Sequence, residues 1–215
     1  MDFDRAQRAA LRLALGDLGL SFSSAILAEY RRINNELWEQ YRRGRIAQPH
    51  LARERFRLLL AHLGEGPRRA SRLAHSFLRR LSHRGDRFPG CRPTLARLRR
   101  EFRLGIVTNG IDHVQRSRLE AAGLMSFFAV VVTSEGCGFA KPDPRILEHA
   151  LDTLAVTPRQ ALYVGDDVRT DGLAARRARV PFCWMDHGVP LPPGTPRPRR
   201  RVGSLPELVA LLSRP

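Results

Sequence analysis

The spacing of apolar residues changes character after residue 83. Over residues 5–83 apolar positions recur every three or four, the period of a helix with one buried face. Ile26, Leu27, Tyr30, Ile33, Leu37, Trp38 and Tyr41 fall on one stripe, which predicts a helix over 26–41 with Ser23 or Ser24 as its N-cap and Gly44 as its stop. A second helix is predicted over 49–62, opened by Pro49. A third, over 67–81, carries Leu73, Phe77, Leu78 and Leu81 on one side. These stripes are packing faces. Glycine and proline then concentrate in "SHRGDRFPGCRP", so residues 82–93 read as a linker.

Beyond the linker, short apolar runs alternate with helical stretches. "RLGIV" (103–107), "FFAVVV" (127–132), "ALYV" (161–164) and "VPFCWM" (180–185) are predicted strands. Helices are expected up to about residue 122 and over 144–154, 171–178 and 204–213. Apolar strands alternating with helices predict an α/β fold: a Rossmann-like parallel sheet covered on both faces, over residues 86–215, joined to an all-helical domain over residues 1–85. In such sheets ligands sit beyond the carboxyl ends of the strands. Those ends are therefore where chemistry is sought.

Each strand end delivers something. After "RLGIV" come Thr108, Asn109 and Gly110; after "FFAVVV" the chain runs to Lys141 in "AKPDP"; after "ALYV" come Asp166, Asp167 and Asp171 in "GDDVRTD". Lys141 is the only lysine beside 36 arginines. An ammonium is a compact point charge where a guanidinium is a wide fork, and a site touching one phosphoryl oxygen in a tight space needs the former. Pro142 and Pro144 fix the backbone around it. The Thr108 hydroxyl is either a strand-terminal turn group or, with the neighbouring amides and Asn109, a holder of an anionic oxygen. Asp171 suits a helix start, but three carboxylates within six residues repel unless a cation relieves them, and an all-oxygen set points to magnesium.

Composition narrows the classes. The 215 residues suffice for a sizeable core, and 43% apolar with 27% charged residues is ordinary for a globular protein. No apolar run is long enough to span a membrane, and no basic-then-apolar leader opens the chain, so a cytoplasmic protein is expected. Cys91, Cys137 and Cys183 match no zinc or redox spacing and read as reduced thiols. The net charge of +16 suggests nucleic acid, yet the excess is spread: 18 arginines against 9 acids over residues 1–88, and 19 basic residues against 12 acids beyond. The dense cluster "RPRRR" (197–201) has no aromatics interleaved for base stacking. No nucleic-acid partner is expected. The sequence does not set an oligomeric state.

Taken in order, "GIVTNG", "AKPDP", "VGDDVRTD" and "CWMD", with "NNELWEQYRRGRI" in the helical part, resemble a haloacid-dehalogenase superfamily phosphatase with a helical cap, of the pyrimidine 5'-nucleotidase branch. The resemblance implies a magnesium-dependent hydrolase of small phosphate monoesters, such as a nucleoside 5'-monophosphate. An aspartate would attack phosphorus, an aspartyl-phosphate would form, and water would hydrolyse it. It implies that Thr108 and Lys141 act in catalysis, that Thr108, Asn109 and Gly110 bind the substrate, and that Asp166 and Asp171 hold magnesium directly or through water. Two alternatives stay open: a non-catalytic relative that binds a phosphorylated ligand or partner, and a 2-haloacid dehalogenase, which the acidic cluster disfavours.

The resemblance also asks for a nucleophile in a hydrophobic strand ending D-x-D-x-T, with an acid/base aspartate two residues on. Asp2 and Asp4 have that spacing, but Asp2 follows only Met1, and Arg5 and Ala6 come next. "DFDRAQRAAL" fits better the acidic stretch that leads into the first cap helix. Without that strand its two neighbours would lack ladder hydrogen bonds, at about 1–3 kcal/mol for each buried unpaired group. The expectation is that the recorded start is wrong, that the nucleophile strand lies upstream, and that these 215 residues alone show no phosphatase turnover.

Overall fold

A computed structural model of the chain describes residues 1–213. They form two compact units, one of residues 1–86 with 120–122, the other of residues 87–119 with 123 onward.

The first unit is helical: α1 (Phe3–Gly16), α2 (Ser24–Arg42), α3 (Gln48–His62) and α4 (Ala70–Ser82), with a single 3-10 turn at Pro67–Arg69 ahead of α4. Ser23 is the N-cap of α2, its Oγ accepting from the Ile26 amide at 3.2 Å. The rings of Tyr30, Phe56 and Phe77 meet at the centre with centroids 5.1–5.7 Å apart. Around them Leu11, Leu15, Leu59, Leu60 and Leu73 are fully buried. Each such side chain contributes roughly 1.5–3 kcal/mol of apolar burial.

The acidic opening of the chain belongs to α1. Asp2 is its N-cap, with Oδ1 accepting from the Arg5 amide at 3.0 Å. Asp4 lies in the first turn, where a carboxylate complements the exposed amides, 3.4 Å from Arg31.

The second unit opens earlier than the linker reading expected. Gly90 takes a left-handed conformation (φ 72°), and α5 (Cys91–Leu98) follows at once, burying Cys91 and Leu98. Then come β1 (Gly105–Thr108), α6 (Asp112–Ala121), β2 (Val130–Thr133), α7 (Ser134–Cys137), α8 (Arg145–Leu154) and β3 (Tyr163–Gly165). A π-helical turn, Val168–Gly172, runs into α9 (Leu173–Arg177), followed by β4 (Phe182–Met185), β5 (Arg200–Val202) and α10 (Leu205–Leu212).

All the pairing is parallel. β1 pairs β2, Thr108 opposite Thr133; β3 pairs β4, Gly165 opposite Trp184; β4 pairs β5, Met185 opposite Val202. The order is β1-β2 in one sheet and β3-β4-β5 in another. β5 lies inside the basic cluster, where no strand was expected. Arg200 and Arg201 hide its apolar signal, and charged residues are ordinary on a sheet edge.

The expected two-sided burial is present. Along β4, Phe182 packs with Ile146, Leu147, Ala174 and Ala175, whereas Cys183 and Met185 pack with Leu98, Val202 and Leu208. Alternate residues thus bury on opposite faces, each covered by helices. Among the described residues no helix is long and apolar enough to cross a membrane.

Candidate active site

The ends of β1 and β3 are joined through Lys141. Its Nζ lies 2.7 Å from Asp171 Oδ1 and donates to Tyr163 Oη at 3.0 Å and to the Val107 carbonyl at 3.2 Å. One ammonium therefore touches the backbone of β1 near its carboxyl end, a side chain from β3 and the π-helical turn that follows β3. Its backbone is fixed as well. The Asn109 side chain donates to the Lys141 carbonyl and accepts from the Lys141 amide, both at 2.8 Å, so the loop after β1 grips the loop carrying the lysine.

Asp171 is held on every side. Oδ1 takes Lys141 and the Tyr163 hydroxyl (3.2 Å), and Oδ2 accepts from the Asp167 amide at 3.2 Å. The approach requires Gly165 at the tip of β3: a Cβ there would stand 2.3 Å from Asp171 Oδ2. Asp167 shapes the turn by capping it, accepting from the Arg169 and Thr170 amides.

The electrostatics follow from burial and pairing. Burial works against the Lys141 charge, but Asp171 and Tyr163 outweigh it and hold its pKa above the usual lysine range. Tyr163 stays neutral: burial, with the Asp171 charge next, pushes its phenol up. Asp166 is pushed up by its surroundings and by Asp171, against the pull of Lys141 and His187. Its side chain keeps solvent access, so the push is moderated.

Thr108 ends β1, its Oγ1 accepting from the Gly110 amide at 3.2 Å, which leaves its own proton to donate. The structure thus brings together Lys141, Asp171 and Asn109 by direct contact. Thr108 adjoins Val107, which Lys141 touches, and Asp166 feels the charges of both Lys141 and Asp171.

Two supporting residues were missed in the sequence. Tyr163 had one signal, a phenol in an otherwise aliphatic run. Trp184 had none, because its role depends on a neighbouring strand. It is 3% exposed, and its Nε1 donates to the Asp166 carbonyl at 3.0 Å. The guanidinium of Arg201 lies 5.1 Å from its ring centroid, and Arg201 is ion-paired with Asp186.

The donors present fit magnesium. They are oxygens, and the crowding of Asp166 against Asp171 is a local excess of negative charge that a cation relieves. Among the described residues no three His, Cys, Asp or Glu side chains are arranged as a metal cage. Magnesium keeps several waters and takes one or two carboxylates plus a substrate phosphate. Asp166 is the solvent-accessible carboxylate, and Asp171 is already engaged by Lys141 and Tyr163.

The chain is similar to several known proteins. HAD-hydrolase YfnB of Bacillus subtilis is 29% identical over 216 residues, 99% of this chain and 91% of that protein. Its crystal structure, bound to magnesium, superposes with a TM-score of 0.91 over 100% of this chain and 94% of that one. Pyrimidine 5'-nucleotidase YjjG of Escherichia coli is 32% identical over 198 residues, 91% of this chain and 86% of that protein. The 2-haloacid dehalogenase of Pseudomonas syringae pv. Tomato is 26% identical with a TM-score of 0.66, covering 100% of this chain and 92% of that one. The pattern of the haloacid dehalogenase-like hydrolases matches residues 62–185, and the chain belongs to that family.

Proposed function

We propose that the protein is a magnesium-dependent phosphatase acting on small phosphate monoesters, with a nucleoside 5'-monophosphate as the first substrate to test. The observation that carries this reading is the buried lysine ammonium pinned between two strand ends by Val107, Tyr163 and Asp171. A fixed cation at the carboxyl ends of parallel strands is a pre-arranged counter-charge for a phosphoryl group. The nucleotidase relative and the magnesium-bound structural neighbour support it.

In this reading Thr108 Oγ1 donates to a phosphoryl oxygen, and Lys141 neutralises charge on that group. Asn109 positions the lysine backbone rather than touching substrate. Asp166 holds magnesium, with Asp171 acting through water and by fixing Lys141. Magnesium when bound would neutralise and orient the phosphate. No nucleophile is assigned. Asp2 already caps α1 with its carboxylate, and Asp4 is an exposed first-turn residue.

The test measures two quantities on the protein of these 215 residues. Phosphate binding, followed by calorimetry with and without magnesium, is expected to include a saturable phase that magnesium tightens and that is lost in Lys141→Met. Phosphate release from nucleoside 5'-monophosphates and aryl phosphates that is lost in Lys141→Met would support the phosphatase reading over a protein that only binds phosphate. Absence of phosphate binding would end the proposal. The dehalogenase neighbour motivates a second reading, and halide release from a 2-haloacid without magnesium would favour it.

A further inference from the structure

The helical unit buries a guanidinium that has no carboxylate beside it. Arg55, on α3, is 7% exposed. Its Nη1 donates to Asn34 Oδ1 at 3.2 Å, while its Nε is fully buried and donates to nothing among the described residues. Other arginines of this unit sit against carboxylates, as Arg32 does with Glu29 and Glu36, Arg57 with Glu54 and Arg80 with Asp17. Those pairs are exposed, where pairing matters least. Arg55, which is buried, has an amide oxygen as its acceptor and no carboxylate among the described residues.

Its surroundings are aromatic and hold a second donor without an acceptor. The guanidinium carbon lies 5.1 Å from the Phe56 ring centroid and 5.2 Å from that of Phe77. Tyr30 stacks on Phe56 with centroids 5.7 Å apart, and its hydroxyl is fully buried with no hydrogen-bond partner among the described residues. Tyr30 and Asn34 are four residues apart on α2 and so share a face. Aromatic faces attract a cation but do not replace its hydration. A purely structural cluster would be served as well by a hydrophobe at position 55.

We propose that Arg55, with Asn34 and Tyr30, forms a site for an oxyanion, the carboxylate or phosphoryl oxygens of a small ligand, in the helical unit. The planar edge of the guanidinium suits two oxygens of one anion, the phenol hydroxyl adds a third donor, and the rings make an apolar wall. The site shares no residue with the Lys141 group and stands whether or not the phosphatase reading holds.

The experiment uses the full chain at low chloride, titrated with sodium acetate in one series and sodium phosphate in another. The Nε–Hε resonance of Arg55 is read by NMR and identified by its loss in Arg55→Lys. Calorimetry on the wild type, Arg55→Met and Lys141→Met runs alongside. The expected result is a saturable shift of the Arg55 resonance with at least one anion, kept in Lys141→Met, and binding roughly tenfold or more weaker in Arg55→Met. A response to acetate alone identifies a carboxylate, and a response to phosphate alone a phosphoryl group. If Arg55→Met does not fold, Arg55→Lys, which keeps the charge and loses the fork, carries the comparison. A resonance that neither anion shifts, or anion binding unchanged in the Arg55 variant, would overturn the proposal and leave Arg55 a packing residue.

Discussion

The Lys141 ammonium and the Asp171 carboxylate lie 2.7 Å apart, with side chains 12% and 5% exposed. A pair this enclosed makes each partner dependent on the other. Removing only the lysine leaves a buried carboxylate without a counter-charge, at about 3–5 kcal/mol. Lys141→Met is therefore expected to lower the urea midpoint sharply, and Lys141→Met combined with Asp171→Leu to recover most of that loss. Both variants should lose the magnesium-strengthened phosphate binding. Because the folded-state pKa of Lys141 is raised above its ordinary 10.5, the stability it confers is complete at neutral pH and declines only as pH climbs through that raised value. A double variant whose loss equals the sum of the Lys141→Met and Asp171→Leu single losses would show that the pair is not coupled.

Asp166 gives a pH signature of opposite kind. Its pKa is raised from the ordinary 3.8, so its protonated form is favoured in the folded state. That contribution is complete below 3.8 and is lost as pH rises through the raised value, leaving a charged carboxylate that works against folding at neutral pH. Asp166→Asn is expected to be more stable than the wild type at pH 7 without magnesium, with the gap closing as pH falls. Adding magnesium should raise the wild-type melting temperature and leave Asp166→Asn unmoved, and chelation should reverse the gain. A melting temperature indifferent to magnesium in both proteins would remove Asp166 from the metal site.

The sequence revealed most where one side chain carries its own signal. Helical stripes located α2 through α4, and apolar runs located β1 to β4. Lys141 stood out as the single lysine, and its placement at a strand end needed no tertiary information. Features resting on neighbours distant in sequence were hidden. β5 shows two arginines to a reader, and only its pairing to β4 makes it a strand. α5 begins where a left-handed Gly90 ends the linker. Spacing does not show that Lys141, 30 residues earlier, engages Asp171. The burial of Arg55 is not legible in the sequence, because helical periodicity does not reveal that α2 and α4 close over it.

Trp184 supplies the tie between β4 and the residue expected to meet the metal. Its indole donates to the Asp166 carbonyl at 3.0 Å from a site that is 3% exposed. Trp184→Phe keeps most of the ring and removes the donor. Leaving that carbonyl unsatisfied costs about 1–3 kcal/mol. The loss should also loosen the turn that holds the Asp166 carboxylate. The expected outcome is weaker magnesium binding by calorimetry together with a modest fall in stability. Unchanged magnesium affinity with reduced stability would confine Trp184 to packing.

The helical unit has its own titrating tie, which separates its stability from that of the α/β unit. Asp17, just after α1, pairs with Arg80 of α4 at 2.7 Å and accepts from Ser76 Oγ. The hydrogen bond from Arg80, with that from Ser76, brings its pKa down from 3.8 to about 2. A depressed carboxylate stabilises the fold above its unfolded pKa, and that stabilisation is lost as pH falls from 3.8 toward about 2. Asp17→Asn is therefore expected to melt below the wild type at pH 6, and the two curves should converge as pH drops through that window. Ser76→Ala should show a smaller loss over the same range, because Arg80 still holds the carboxylate. A wild-type advantage persisting undiminished at the acid end would mean that Asp17 acts through shape rather than charge.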